Sequence, residues 1–582
     1  MKRKIISKQM ASSINYTFAT VVELLSASVR GHRREAPERL LSLALDLSAW
    51  IDVAFLPEPQ LQVSLLWILS LGVSLHPTLK LWGSRFKSWS VKAVLGALFS
   101  DSSASYLHFL LVSFLKTLTL ASQKSSGSKS LVFSLKKMVP SRASVLMVAL
   151  LPLLLQCSVA VTEASCSDVV PMKQRREVIS ITDFGAVGDG KTLNTWPFKK
   201  AIYRIQHLRR RGGTLLYVPP GVWLTGSVSL TSHMTLYLAR GAVIKATQDT
   251  RRWPLVDPLP SYGRGRELPG RRYMSFIQGD GISDVIITGE NGTIDGQGEV
   301  WWNMWRRRSL HFTRPNLVEF KNSRDIIISN VVFQNSPFWN IHPVYCSNVV
   351  IKYVTVLAPH DSPNTDGIDP DSSSNVCIED AHISTGDDLV AVKSGWDEYG
   401  IAYGRPSSGI TIRRLTGSSP FSGVAIGSET SGGVENVLVE NVNLYDTGIG
   451  IHIKTNVGRG GFVRNITVVN VSMNKVRKGI RIAGDVGDHP DEYFDRRAIP
   501  TVDGITIKNV WGVDVQQPGS IQGIKNSPFT RICLSNVKLW GVAKPSAPWK
   551  CVDVSGAALG VQPWPCSALA RTISSGYCST AF

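Results

Sequence analysis

One short pattern of residues recurs along the chain from residue 284 onward, and it limits the folds that the chain can adopt. Each copy begins with a turn-favouring residue and continues with a run rich in β-branched side chains, which favour strands. The copies begin at Asp284, Asp325, Asn348, Asn375, Gly409, Asn436, Asn465, Gly504 and Arg531. After Asp325 their spacings are 23, 27, 34, 27, 29, 39 and 27 residues. A unit of roughly two dozen residues with variable insertions is typical of a solenoid.

Each unit is too short to hold two strands and the helix that usually connects parallel neighbours. We therefore predict an all-β fold, a right-handed parallel β-helix that occupies residues 175–545, in which each strand pairs with its equivalent one coil away. An antiparallel sandwich would not predict the same pattern at coil-length intervals. A helical pattern at 196–211 would cap the N-terminal end. Residues 299–312 would form a projecting insertion, whose Trp and Arg side chains either stack on sugar rings or form a satellite core.

Residues 138–164 have the parts of a secretory signal peptide, namely a basic flank, an apolar stretch and a small-residue end. Such a segment normally begins a chain, and Met138 would serve as its initiator. Residues 1–137 are therefore predicted to be a non-native or mispredicted extension. Alternatively, residues 143–161 remain as an uncleaved signal anchor, which would tie the protein to a membrane. In both cases the body enters the secretory pathway, and we expect a secreted protein of the cell wall.

The formal net charge of +19 raises the question of a nucleic-acid partner. The excess is spread along the chain without a dense basic stripe or interleaved aromatic residues, so no nucleic-acid partner is predicted. A basic surface suits an anionic polysaccharide, although ordinary solubility charge explains it equally well. We expect a monomer.

Seven cysteines remain after the signal segment, and four of them lie in the last fifty residues. This distribution predicts a disulfide-containing C-terminal tail, 546–582, in an oxidising compartment, with at least one free thiol. No Cys or His spacing is typical of zinc, so no metal is predicted.

The segment 185–192 reads GAVGDGKT and matches the phosphate-loop pattern GxxxxGK[ST] in every position. The strand and helix alternation that surrounds such a loop is missing downstream, and Asp189 would place a carboxylate against the phosphates. We interpret the segment as a glycine-rich turn between the first strand and the capping helix. Nucleotide binding remains the alternative.

Carboxylates are concentrated in two turns that flank a short apolar strand. Asp366 and Asp387 are 21 residues apart, close to one coil, so a β-helix would stack them on neighbouring rungs together with Asp388. Crowded carboxylates repel one another, which raises one pKa and keeps one group protonated as an acid. Glycoside hydrolysis needs one protonated carboxyl group beside an ionised one. Asp369 and Asp371 are interpreted as turn formers.

Asn364-Thr365-Asp366 and Gly386-Asp387-Asp388, together with the opening DFGAVGDG at 183–190, resemble the polygalacturonase family of glycoside hydrolases. The resemblance, from about 183 to about 540, implies cleavage of α-1,4-galacturonosyl linkages in pectin or polygalacturonate with inversion. It implies Asp387 as the general acid, with Asp366 and Asp388 activating water. The resemblance implies no metal or organic cofactor. The residues expected to bind substrate are Asn364, Lys393, His452 and Lys454.

Two positions depart from the family pattern. The histidine of the family's Gly-His-Gly is replaced by Ser422, and its Arg-Ile-Lys reads His452-Ile453-Lys454. Lys454 would pair with a galacturonate carboxylate, whereas His452 would do so fully only below about pH 6.5, when it is protonated. These departures resemble a divergent, plant-type branch and make exo-cleavage credible. A non-catalytic pectin-binding protein and a pectate lyase with Arg459 as base are the alternatives.

Overall fold

The computed structural model describes Cys166, residues 169–208, 211–541 and 549–570, and Cys578. The predicted extension 1–137 and the signal peptide or anchor 138–164 lie outside the described residues. Within the described residues, no helix is both long enough and apolar enough to cross a bilayer.

Parallel strands, most of them short, build the body of the described residues. The first half of the body contains β1 (Glu177–Ser180), β2 (Thr214–Val218), β3 (Gly221–Thr225), β4 (Val228–Ser229), β5 (Met234–Leu238), β6 (Ala242–Ala246), β7 (Leu255–Val256), β8 (Arg272–Tyr273), β9 (Ile277–Asp280), β10 (Ser283–Gly289), β11 (Gly292–Asp295), β12 (Val318–Lys321), β13 (Arg324–Ser329), β14 (Val331–Gln334), β15 (Ile341–Val344), β16 (Ser347–Lys352) and β17 (Thr355–Leu357).

The second half contains β18 (Ser374–Glu379), β19 (His382–Ser384), β20 (Val390–Val392), β21 (Ser407–Arg413), β22 (Thr416–Ser418), β23 (Ser422–Ile426), β24 (Val434–Lys454), β25 (Phe462–Ala483), β26 (Thr501–Gln522), β27 (Phe529–Leu539), β28 (Lys550–Val552), β29 (Val554–Leu559) and β30 (Leu569–Ala570). The α-helices are α1 (Thr195–Leu208), α2 (Glu299–Arg306) and α3 (Asp397–Tyr403). β28, β29 and β30 still pair in parallel with the coils, although they lie beyond the predicted end at residue 545.

The coils stack into three parallel faces, which we name A, B and C in the order in which the chain visits them. Face A runs from β1 through β2, β5, β10, β13, β16, β18 and β21 to β24. Face C includes β9, β12, β15, β20 and β23, and β24 and β25 each extend through all three faces. The predicted parallel β-helix, in which equivalent strands pair from coil to coil, is confirmed.

The recurring sequence pattern corresponds to a backbone conformation. The first residue of every copy has a positive φ, from 52° at Asn465 to 74° at Gly504. Asn, Asp and Gly tolerate this left-handed conformation best, which explains why they begin eight of the nine copies. The β-branched residues that follow point inward in register, and Ile326, Val349, Val376, Ile410, Val437 and Ile466 form a continuous aliphatic stack inside the coil.

The N-terminal end is closed by α1, as predicted. Its Phe198, Ala201, Ile202 and Ile205 are buried against the first coils. The phosphate-loop match forms a turn before α1, in which Asp189 Oδ1 accepts the N–H groups of Lys191 and Thr192 at 2.8 and 2.7 Å. Because the loop's own carboxylate uses the amides that a phosphate would need, the turn interpretation is confirmed.

Disulfides join Cys166 to Cys377, Cys533 to Cys578 and Cys551 to Cys566, while Cys346 is a buried free thiol. The predicted disulfides near the C-terminus and the free thiol are therefore confirmed.

Candidate active site

Three carboxylates meet on face C. The parallel register pairs Ile368 with Val390, which places Asp366 opposite Asp388 on adjacent rungs and Asp387 one residue earlier. Asp366, Asp387 and Asp388 each offer a carboxylate oxygen, and these oxygens all lie within 4.8 Å of one another. The structure thus brings together the three residues that the coil spacing selected.

Two lysines approach this cluster from neighbouring positions of face C. Lys393 Nζ lies 3.3 Å from Asp366 Oδ2 and 3.4 Å from Glu429 Oε2, and the face of Trp339 covers it at 4.5 Å. Lys454 Nζ donates to Asp388 Oδ2. Both lysines are therefore already paired with protein carboxylates.

The carboxylates differ in their pKa. Burial, strengthened by the charges of Asp366 and Asp388, raises the pKa of Asp387 well above its ordinary value. Burial also raises the pKa of Asp388, but the Lys454 ammonium outweighs this effect and leaves that pKa lowered. Asp387 is also the partly exposed member of the three. The site therefore holds a protonated carboxyl beside an ionised one, which is the arrangement that acid–base chemistry requires.

The interpretation of Asp369 and Asp371 as turn formers was wrong. Both lie in the rung below Asp388 and are fully buried. Asp371 Oδ2 accepts the Tyr262 hydroxyl at 2.6 Å and lies 3.2 Å from His342 Nε2. Asp369 lies beside Lys393, with Oδ1 at 3.5 Å from Nζ, and burial raises its pKa well above the ordinary value. They belong to a buried polar layer that continues the rung of Asp366 beneath residues 254–272.

The expectation that His452 becomes a cation in a mildly acidic medium was also wrong. Burial and the charge of Lys454 lower the pKa of His452 to about 3, so the ring is neutral at pH 4 and above. Its Nδ1 lies 3.0 Å from Ser422 Oγ, and the Ser422 N–H donates to Asp388 Oδ1 at 2.9 Å. The two residues that depart from the family pattern are therefore direct neighbours, and Ser422 connects His452 to the clustered carboxylate Asp388.

Asn364 is held at the edge of the cluster. Its Oδ1 accepts Arg314 Nη2 at 2.8 Å, and its Nδ2 lies 3.4 Å from Asp387 Oδ2. Arg314 is in turn fully buried and paired with Glu267 at 2.6 Å. The sequence reasoning missed Arg314, Glu267 and Glu429, because each lies in an insertion or a turn without a recognisable pattern.

The clustered carboxylates open into a cavity of about 600 Å³. Its walls include Trp305 of α2, Phe338 and Phe421, and its C-terminal side includes Arg477 and Arg481. The insertion predicted at 299–312 contributes both to the core and to the cavity. Trp301 and Trp302 are buried, whereas Trp305 is 42 % exposed and lines the cavity. The cavity is thus polar at its base and partly aromatic at its walls, as suits a saccharide.

A long insertion between β6 and β9 lies along face C beside this cavity, and its residues Arg266 and Glu267 line the cavity. We call its residues 254–272 the strap. Arg272 pairs with Glu319 at 2.7 Å, Ser261 Oγ lies 2.6 Å from Tyr345 Oη, and Arg266 pairs with Glu429 at 2.7 Å. The strap also meets the loop between β25 and β26, since Arg264 pairs with Asp491 at 2.5 Å. The strap therefore covers Glu319 on a rung that precedes the cluster and continues past the cavity to Asp491.

The three carboxylates are close enough to ligate a divalent cation, but the ammonium groups of Lys393 and Lys454 already supply positive charge there. Cys166 and Cys377, which lie near Glu379, are joined in a disulfide. Arg459, the lyase base considered from the sequence, is fully buried and paired with Asp397. It has no access to the cavity.

The fold and the grouped carboxylates define a β-helical acid–base enzyme. The family model described as Glycosyl hydrolases family 28 matches residues 266–560. A "Probable polygalacturonase" of Vitis vinifera is 50% identical over 397 residues, which cover 68% of this chain and 81% of the relative. The chain therefore belongs to glycosyl hydrolases family 28 and is a glycoside hydrolase.

Two solved structures are similar over the same region. The exopolygalacturonase of Thermotoga maritima is 29% identical, with a TM-score of 0.54, and the similarity covers 67% of this chain and 94% of that one. The polygalacturonase of Erwinia carotovora is 24% identical, with a TM-score of 0.52, and covers 66% and 97%. Because the Erwinia carotovora structure is only 24% identical, its similarity supports the fold alone.

Proposed function

We propose that this enzyme hydrolyses the α-1,4-galacturonosyl linkages of pectin or polygalacturonate and that it acts from a chain end. The observation that carries the catalytic part is the cluster of Asp366, Asp387 and Asp388, in which burial raises the pKa of Asp387 and of Asp366 while Lys454 holds the pKa of Asp388 below its ordinary value. The family and the polygalacturonases among its relatives support the substrate.

In the proposed reaction Asp387 gives its proton to the glycosidic oxygen as the C–O bond breaks. Asp388, with Asp366, takes a proton from the water whose oxygen forms the new bond to the anomeric carbon. The proton gained by the base then returns through solvent to Asp387, so the cycle closes without a cofactor. Lys454 keeps Asp388 ionised, and Lys393 offsets the negative charge of Asp366.

The catalytic proposal is tested with Asp387→Asn, which keeps the shape of the side chain but cannot donate the acid proton. Reducing-end release from polygalacturonate should fall about 10²–10⁴-fold. Asp361→Asn is the matched control, because Asp361 is an exposed carboxylate near the same turn. Equal rates for wild type and Asp387→Asn would reject Asp387 as the acid. Retention on pectin without turnover by the wild type would support the non-catalytic alternative.

The chain-end proposal rests on the strap. Beneath it Glu319 and His342, which lie on the two face C rungs before Asp366, are at most 1% exposed. A polysaccharide cannot lie over these two side chains, which supports a groove that is closed on its N-terminal side. A groove that is closed at one end admits a terminus more readily than an internal segment.

Chain-end action predicts one short product from the start of the reaction and a slow fall in viscosity relative to the release of reducing ends. Both quantities are measured on long polygalacturonate, and end-labelled oligomers identify which terminus enters. A rapid loss of viscosity with a mixture of oligomers would show cleavage within the chain and would reject this part of the proposal.

We also propose that the protein works outside the cell, in the cell wall. Three disulfides support an oxidising compartment. The predicted signal segment at 138–164 supports the same route. Mass spectrometry of the extracted protein tests both, since a mature N-terminus shortly after residue 164 is expected and peptides from 1–137 are not.

A further inference from the structure

A group of cations lies on face C on the C-terminal side of the carboxylate cluster. Arg477, Lys478 and Arg481 belong to the last part of β25, and Lys550 begins β28. Arg477 and Arg481 line the same cavity as Asp387 and Asp388. We call these four residues the basic patch.

The basic patch has little compensating negative charge among the described residues. Arg481 has Asp485 at 3.7 Å, a long contact between partly exposed side chains, and Arg477 donates only to the carbonyl of Pro420 at 3.3 Å. Partial burial and the charges of Arg481, Lys550 and Arg477 lower the pKa of Lys478. The cations of the basic patch therefore repel one another, and binding of an anion would relieve this repulsion.

The position of Arg481 relates it to the changed family motif. The register pairs Arg481 with His452 on the preceding rung, and rungs are about 4.8 Å apart. His452 is neutral and Lys454 is bound to Asp388, so neither of the residues predicted to bind a substrate carboxylate offers a free charge. Arg481 places a guanidinium on the rung of face C that follows His452.

We propose that Arg481, with Arg477 and Lys478, binds the carboxylates of the uronate chain on the rungs that follow the catalytic cluster. The strap buries Glu319 and His342 on the rungs before the cluster, so the remainder of a bound chain lies on the rungs that follow it, over the basic patch. A polyuronate carries one carboxylate per sugar, which matches a surface with several cations on successive positions. This inference rests on the proposed function, because it concerns how the same substrate is held.

The test compares Arg481→Gln with Arg464→Gln. Arg464 lies on the same strand but on face A, where it pairs with Glu435, so it controls for the loss of an arginine from β25. We expect Arg481→Gln to raise KM for polygalacturonate about tenfold, the size of one charge-assisted hydrogen bond, with kcat within about twofold of wild type. Arg464→Gln should leave both constants unchanged.

Binding is measured separately by calorimetry in the Asp387→Asn background, with oligogalacturonate and with its fully methyl-esterified form. Arg481→Gln should weaken binding of the charged oligomer about tenfold and leave binding of the neutral oligomer unchanged. Unchanged binding of the charged oligomer would overturn the inference, and so would an equal loss for both oligomers, which would indicate general damage to the cavity.

The two proposals can fail independently. If the wild type binds oligogalacturonate through Arg481 but does not hydrolyse it, the catalytic proposal fails and the basic patch stands. If the wild type hydrolyses polygalacturonate and Arg481→Gln has normal KM and affinity, only the basic patch is rejected.

Discussion

Ser422 Oγ lies 3.0 Å from His452 Nδ1, on adjacent rungs beside Asp388. The hydroxyl and the ring form one hydrogen-bonded unit at the two positions where the chain departs from the family pattern. Since burial keeps the ring uncharged, this unit contributes shape and hydrogen bonding to the cavity and adds no charge.

The first prediction concerns this unit. Because the pKa of His452 is lowered to about 3, the residue does not titrate between pH 4 and 8. Replacing it by asparagine should lower kcat/KM without moving either limb of the pH profile. The measurement is kcat/KM across that range for wild type and His452→Asn. A wild-type limb near pH 6.5 that disappears in the variant would contradict the prediction.

The second prediction concerns Lys454. Its ammonium lowers the pKa of Asp388 and opposes the rise in the pKa of Asp387. In Lys454→Met both pKa values should rise, so the base is protonated at higher pH and the acid keeps its proton to higher pH. Both limbs of the kcat/KM profile should therefore move upward. Lys475→Met, which removes an exposed lysine paired with Asp446, should leave the profile in place.

The third prediction concerns stereochemistry. Carboxyl groups about 5 Å apart are typical of retaining enzymes, and about 6.5–9.5 Å is typical of inverting ones. The 4.8 Å within which the clustered carboxylates approach joins their nearest oxygens, so the carboxyl groups themselves are farther apart, and the family resemblance implies inversion. We expect inversion, with Asp366 and Asp388 holding the water jointly. Proton NMR of the first product formed from an oligogalacturonate should show the β-anomer, and an initial α-anomer would contradict this mechanism.

The fourth prediction concerns the buried layer under the strap. His342 is fully buried, and although burial opposes its charged form, contacts with Asp371 and Glu319 raise its pKa. A raised folded-state pKa stabilises the protein fully below about pH 6.5, and this contribution is lost as pH rises through the folded-state pKa. His342→Gln should therefore lower the free energy of unfolding by about 3 kcal/mol in acid and by less at alkaline pH.

Denaturant unfolding of wild type and His342→Gln at several pH values measures this difference. A difference that stays constant from pH 5 to pH 9 would show that His342 contributes packing alone. The exposed His207 is a suitable control, since it lies on α1 and stacks on Tyr203 of the same helix.

The fifth prediction concerns the turns between faces A and B. Asn509 has a φ of 54°, donates to Asn470 at 3.1 Å and accepts from Asn536 at 3.0 Å. Asn509→Ala loses both hydrogen bonds and strains the left-handed backbone, whereas Asn509→Gly loses only the bonds. We expect the alanine variant to be less stable than the glycine variant by about 1 kcal/mol. Equal stability, measured by urea unfolding, would contradict a role for this backbone conformation.

Much of the fold could be predicted because its determinants are local. Each coil begins with a residue that accepts a positive φ and continues with residues that fill the interior. This pattern can be recognised in the sequence without any long-range information. The same periodicity selected Asp366, Asp387 and Asp388, since residues one coil apart in sequence are neighbours in space.

The rest depends on contacts between distant segments, which no local pattern encodes. Arg266 and Glu429 pair across 163 residues, and Arg264 and Asp491 pair across 227. The state of His452 could not be predicted either, because its burial and the nearby charge of Lys454 follow from stacking. Asp369 and Asp371 were misassigned for the same reason, since a turn-favouring dipeptide carries no information about the insertion that covers it.

The strap covers a part of face C that is built from ionisable side chains, with Glu319, His342 and Asp371 beneath it. Charged groups are well solvated by water, so exposing these side chains would cost little free energy if the insertion were shortened or lost. The coils on either side hydrogen-bond to each other directly, through β9 and β12, without help from the strap. Shortening this one insertion would therefore uncover Glu319, His342 and Asp371 and leave the pairing of the coils intact.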